Sequence, residues 1–447
     1  MPHVIIVVAD GVRPDTLAAA VEAGEVPALQ ALWDAQGLHT LTTVFPSVTG
    51  PAYVPFLMGE HPGHVGLPGL RWFDRSRTDT SWPHFTRSYI GSEMRKVDRD
   101  LALDFPTAFE RSGGGLAMMN MIGRGLPRKN RLTDTVGFAL RAGYTHFRGD
   151  VAGWLDVDRV LSSPPFTFAS FCGVDKASHS LGHRAPIVRQ ALQIVDGFVA
   201  DVTAAATRQG WIHELALFVV SDHGHIDVHA HDDLADLFRE RGLRVLAHPR
   251  IFGVSDPEIA VMVSGNAMAH LFMDLPSRTR PFWPKLSARW NETAEMLLTR
   301  PSVDLLLLPH SDSTVEIRGG GDRGSAMVRR AGDRFYYHCG TGDPLGLGDV
   351  HGAPEAECWE RSLQTDYPDA LVQILALNDC RRTGDMILSA TRDWDFRGRF
   401  EPIPHASSHG ALHRDHMLVP MLTNVGSVKP YRRTQDVFHR AMAHLGV

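Results

Sequence analysis

Three short, almost wholly apolar runs in this chain each lead into an aspartate. Val4 to Ala9 precedes Asp10, Phe166 to Cys172 precedes Asp175, and Leu215 to Val220 precedes Asp222. A strand that is apolar on both faces must be covered on both faces, as a central parallel strand is. Between the second and third runs, Ile187, Ala191, Ile194, Val195, Phe198 and Val202 recur at helical spacing, and Gly210 supplies a stop signal. Pro14 suits a helix first turn after the first run. Strand, helix, strand predicts a βαβ unit, hence an α/β fold around a parallel sheet. In such sheets ligands bind beyond the carboxyl ends of the strands. All three aspartates fall there.

Histidines accompany two of these aspartates. His179 follows Asp175 by four residues, which places both side chains on one face of a helical turn. His223 follows Asp222 directly, and a fourth segment near the C-terminus, Ser408-His409-Gly410, adds another imidazole. Each piece alone has an ordinary explanation: Asp10-Gly11 reads as a turn, and Asp175 with His179 as a surface or capping pair. His409 competes with His225, His229, His231, His405, His413 and His416. It is preferred because it sits among small residues, where backbone can approach a crowded site. Together, three Asp and three His on one sheet edge make two metal sites, suited to zinc, with manganese or iron as rivals. Thr49, in Phe45-Pro46-Ser47-Val48-Thr49-Gly50-Pro51, supplies a hydroxyl at an expected helix start. Such a Thr is ordinarily an N-cap. Between two cations it becomes a nucleophile, because metal coordination lowers the hydroxyl pKa. This constellation predicts hydrolysis of a phosphate ester.

Bulk properties narrow the alternatives. The 447 residues are long for one compact domain, so a core with insertions is expected. A formal charge of -6 leaves no basic surplus for a nucleic-acid duplex. The expected partner is a small phosphorylated substrate; the oligomeric state stays open. Cys172, Cys339, Cys358 and Cys380 form no close pair, which argues against a thiolate zinc site. No run approaches the roughly 20 apolar residues of a membrane span. The first apolar run is too short for a signal segment and lacks a basic leader. A cytoplasmic location and no membrane partner are therefore expected.

The predicted organisation is a metal-binding catalytic core from residues 1–244 and 400–447, with a lid-like insertion over about 60–165. An α+β subdomain over 245–399 is inserted before the last core elements. Within it, Val303 to Leu308 reads as a strand and Thr314 to Tyr337 as β-hairpins. Thr434 to Leu445 reads as a closing helix, with Val437, Phe438, Met442 and Leu445 on one face.

The motif order resembles the alkaline phosphatase superfamily, most closely its nucleotide pyrophosphatase/phosphodiesterase branch. The resemblance covers residues 4–75, 166–225 and 405–421. It rests on Asp10-Gly11, Phe45-Pro46 leading to Thr49-Gly50-Pro51, Gly59-Glu60-His61-Pro62 with Gly66, Asp175 with His179, Asp222-His223-Gly224 and His409-Gly410. It implies an alkaline phosphatase-like sandwich: a central, mostly parallel sheet flanked by helices, plus inserted subdomains. It further implies one metal held by Asp175, His179 and His409, and another by Asp10, Asp222 and His223 with Thr49. Thr49 would attack phosphorus and pass through a phospho-threonine intermediate. The branch usually carries an Asn a few residues after the glycine matched by Gly66. Here Leu70 stands at that position, followed by Arg71, a candidate phosphate donor with Gly50. Leu70 leaves monoester and diester both open. A phosphonate hydrolase shares the Thr and the metal set and is the alternative. A phosphoryl-transferring mutase is disfavoured, since those relatives use Ser, and a non-catalytic phosphate-binding module ranks last.

Overall fold

The computed structural model describes residues 2–78, 83–132, 165–399, 401, 404–426 and 430–447. A seven-stranded sheet forms its centre. In chain order its strands are β1 (His3–Ala9), β2 (His39–Thr42), β3 (Leu116–Met118), β4 (Arg131–Leu132), β5 (Phe166–Phe171), β6 (Leu215–Val220) and β7 (Leu418–Thr423). Across the sheet they run β2-β7-β6-β1-β5-β3-β4. β1 is parallel to both β5 and β6, and β3 is parallel to β5 and β4, whereas β7 runs antiparallel to β6 and β2. The three apolar runs are thus adjacent central strands, and the aspartates after them share one edge.

Alternation along β1 explains why the run must be apolar throughout. Val4, Ile6 and Val8 face Tyr53, Phe56 and the helix Gln435–Leu445 through Val437 and Phe438. Ile5, Val7 and Ala9 face Leu17, Leu29 and the long helix Pro186–Gln209 through Val195, Val199 and Val202. Burying a side chain of this kind contributes roughly 1.5–3 kcal/mol. The long helix ends as its sequence predicts, with Gly210 in the left-handed region at φ 79°.

A second, nine-stranded sheet is drawn from residues 245–390. It includes Val303–Ser311 and the antiparallel succession Thr314–Gly319, Ser325–Ala331 and Arg334–Cys339. Leu306 and Leu308 pack under the helix Trp283–Leu298, while Leu305 and Leu307 face the helix Ala370–Asn378. The two sheets share a core: Leu246, Met262 and Phe272 of the second sheet pack in one cluster with Trp72, Phe73 and Val4 and Val8 of β1. Of the stretch from 60 to 165, residues 79–82 and 133–164 lie outside the described residues. The described part reaches into the core, since β3 and β4 extend the central sheet. The four cysteines are unpaired. Among the described residues no helix is long and apolar enough to cross a membrane.

One contact between the halves carries a pH prediction. His64 Nδ1 meets Glu60 Oε2 at 3.1 Å and Nε2 meets Asp379 Oδ2 at 3.2 Å. Arg330 also pairs with Asp379, and the His61 ring lies 5.3 Å away. The hydrogen bonds to Asp379 and Glu60 push the His64 imidazole up to about 9. A raised folded-state value means stability that is complete below the ordinary imidazole value and lost as pH rises through about 9. His64→Gln is therefore expected to lose about 1–3 kcal/mol at pH 6 and to converge with the wild type by pH 10. Denaturant titrations of both proteins at the two pH values check this; a constant difference would remove the charged His64 from the account.

Candidate active site

Each strand end delivers its side chain by a different local device. Asp10 follows β1 directly, and its backbone N–H donates to the Phe171 carbonyl at 3.1 Å. After β5 the chain turns into the helix Gly173–Leu181, where Asp175 and His179 stand one turn apart with Oδ1 and Nε2 at 3.3 Å. Asp222 and His223 follow β6 and are fully buried. His409 comes from the far end of the chain and is clamped by the second sheet. A hairpin turn there, with Gly265 and Asn266 both at φ 63°, lets Ala267 N–H donate to the His409 carbonyl at 3.0 Å. The His409 ring then stacks on His223, with ring centroids 3.7 Å apart and planes 7° apart.

Thr49 completes the cluster. Its hydroxyl donates to Asp10 Oδ1 at 3.3 Å and lies 3.0 Å from His223 Nε2. The expected N-cap role goes elsewhere: Gly50 caps the short turn Pro51–Tyr53, which continues as Val54–Met58. Thr49 precedes the cap, so its side chain is free to face the carboxylates. Gly50 adopts φ 98°, and a Cβ there would lie 2.6 Å from Met121 Sδ and 3.2 Å from Leu70 Cδ2. A side chain at this position would be strained and would crowd the cleft.

The imidazole tautomers can be assigned from acceptors alone. Nδ1 of His179 donates to the Ser407 carbonyl at 2.7 Å, that of His409 to the Ser47 carbonyl at 3.0 Å, and that of His223 to the Gly224 carbonyl at 3.1 Å. Carbonyls accept and cannot donate, so in the neutral ring each Nε2 presents a lone pair. Those of His179 and His409 lie 3.3 and 3.5 Å from Asp175 Oδ1. That of His223 lies 3.3 Å from Asp10 Oδ1 and 3.5 Å from Asp222 Oδ2. Lone pairs facing carboxylates, with each ring held by its other nitrogen, is the donor chemistry of a cation site. Two overlapping groups, Asp175, His179, His225 and His409, and Asp10, Asp175 and His223, each place their donor atoms within 4.8 Å of one another.

Electrostatics point the same way. Burial raises the Asp10 carboxyl, and the nearby Asp222 and Asp175 raise it further. Burial also raises Asp222, whose Oδ2 has no hydrogen-bond partner among the described residues. Two buried carboxylates, with that of half-buried Asp175 beside them, favour positive charge between them.

The cluster opens into a cavity of about 270 Å³, lined among others by Asp10, Thr49, Asp175, His179 and His409. Leu70, Met94, Met119 and Met121 give it an apolar wall, and Lys176, Asn266, Glu401 and His405 give it polar points. Arg71 does not line it; its guanidinium pairs with Glu401 at 3.0 Å. Of the competing histidines, His225 and His405 lie at the cluster, whereas His231 pairs with Asp395 at 2.7 Å and His229 is largely exposed. His225 had a sequence signal: it is two residues after His223, the spacing that returns a side chain to the same side of extended chain. Lys176 had one too, lying beside Asp175. Asn266 had none.

A family model described as type I phosphodiesterase / nucleotide pyrophosphatase matches residues 4–278. The chain belongs to this family. No curated protein matches it. Among solved structures, phosphonoacetate hydrolase from Sinorhizobium meliloti 1021, in complex with phosphonoacetate, is similar with a TM-score of 0.57 at 16% identity, covering 99% of this chain and 96% of that one. Murine ectonucleotide pyrophosphatase / phosphodiesterase 5, as an inactive variant with AMP, reaches 0.57 at 12% identity, covering 100% and 96%. The human counterpart reaches 0.56 at 12%, covering 100% and 95%. These likenesses carry the alkaline phosphatase-like fold. Membership of the phosphodiesterase family makes the chain a phosphoric ester hydrolase.

Proposed function

We propose that this phosphodiesterase-family protein hydrolyses small phosphate esters, phosphodiesters or pyrophosphates foremost, through attack of Thr49 on phosphorus. The observation that carries the reading is the Thr49 hydroxyl, which lines the cavity and lies between Asp10 and His223. Asp10, Asp222 and His223 with Thr49 would hold one divalent cation, and Asp175, His179 and His409 a second, most simply zinc. Such a pair supplies charge neutralisation for the phosphoryl oxygens and a lowered pKa for the threonine hydroxyl.

The chain's own residues do the rest. Thr49 Oγ1 forms the new bond to phosphorus as the ester oxygen leaves, giving a phospho-threonine that water then hydrolyses. Gly50 keeps the backbone close to the phosphoryl position without a side chain in the way. Lys176, on the helix that carries Asp175, faces the cavity and takes an anionic oxygen of the substrate; Arg71 acts by fixing Glu401. Leu70 and the methionine wall receive the leaving group and exclude water.

A second reading has its own observation. Leu70 lines the cavity where an amide would have gripped a diester oxygen, which fits a smaller phosphonate or monoester held by Lys176. Comparing kcat/KM for an aryl phosphate diester, an aryl monoester and phosphonoacetate, with zinc and with manganese, separates the two. The account expects the diester to lead by tenfold or more, which is about 1.4 kcal/mol of transition-state preference. A lead for phosphonoacetate would transfer the assignment to carbon–phosphorus cleavage.

A further inference from the structure

The structure places one more imidazole among these donors than the resemblance implies. His225 Nε2 lies 2.7 Å from Asp175 Oδ1, the same oxygen that His179 and His409 face. Its tautomer follows from a short chain of acceptors. His225 Nδ1 meets Ser407 Oγ at 2.9 Å, and that hydroxyl donates its single proton to the Ile226 carbonyl at 2.9 Å. Ser407 Oγ must then accept from His225 Nδ1–H. The Nε2 lone pair is left pointing at a carboxylate oxygen. Two acceptors at that separation repel unless a proton or a metal cation lies between them.

The ring cannot easily turn away. It is fully buried, and its Nδ1 is held by Ser407 Oγ. Metal bonds of about 2.0–2.1 Å give donor–donor edges of roughly 2.9–3.4 Å between right and tetrahedral angles. The three separations from Asp175 Oδ1, at 2.7, 3.3 and 3.5 Å, bracket that range.

We propose that His225 is a fourth protein donor to the cation held by Asp175, His179 and His409. The inference rests on the two-cation reading above and deepens it. One cation would have three imidazoles and a carboxylate, and the other would have His223 with Asp10, Asp222 and Thr49. Each position then has four protein donors, three of them imidazoles at the first.

The test is a crystal structure of the zinc-loaded wild type, with the ions located by anomalous scattering. His225 Nε2 is expected within about 2.5 Å of the ion that Asp175 binds. An ion there with Nε2 farther away, still paired to Asp175, overturns the inference and leaves the hydrolase reading standing. No ion at either set overturns both. His225→Ala adds a solution measurement by competition with a chromophoric chelator. Zinc affinity at one of two sites is expected to fall about 100-fold or more, beyond what an outer partner typically contributes. Two unchanged affinities would contradict the assignment. Should the variant not fold, the wild-type structure decides.

Discussion

Thr49→Ala is expected to lower kcat by about a thousandfold or more on any phosphate ester the protein turns over. The residual rate comes from binding and charge stabilisation alone. Thr49→Ser should retain a measurable fraction, because the hydroxyl can still lie between Asp10 Oδ1 and His223 Nε2. Metal content should barely change in either variant, since Asp10, Asp222 and His223 remain. Steady-state kinetics with parallel metal analysis read all of this. Wild-type turnover in the alanine variant would remove Thr49 from the mechanism, and a large loss of metal would recast it as a structural ligand.

Removing bound cations should be nearly as severe and should also show in stability. Burial raises Asp10 and Asp222 even before their mutual repulsion is added. Cations therefore relieve an unfavourable term in the folded state that the unfolded chain does not carry. A ligand at 100 to 1,000 times its Kd contributes about 2.7–4.1 kcal/mol. For a chain of this length one or two such ions shift Tm by roughly 3–8 °C. Exhaustive dialysis against a chelator, followed by calorimetry and assay, should show that fall together with loss of turnover. Both should return on adding zinc. An unchanged Tm would mean that the carboxylates are satisfied by protons alone.

Much of this site could be read from the chain because its parts sit at strand ends. Apolar runs such as Val4 to Ala9 announce central strands, and a residue at a parallel strand's carboxyl end has little choice of location. The helix Pro186–Gln209 was legible for the same reason, being long and periodic. What could not be read depends on partners distant in sequence. Arg71 reads as a candidate phosphate donor, but its pairing with Glu401, 330 residues on, is invisible in the sequence. His225 is one imidazole among 24; its spacing from His223 hints at the site, but its part is fixed by the distant Ser407 and Asp175. Leu116–Met118 joins the central sheet with three residues, too few to show a period. Asn266 reaches the cavity through a hairpin turn of the second sheet, which no motif marks.

The central claim is that Thr49 acts between two divalent cations on a phosphate ester. Zinc titration of chelator-treated protein, following hydrolysis of an aryl phosphodiester, tests it most directly. The account predicts negligible turnover without zinc and a rise that saturates at about two equivalents per chain. Undiminished turnover in excess chelator, or saturation at a single equivalent, would contradict it.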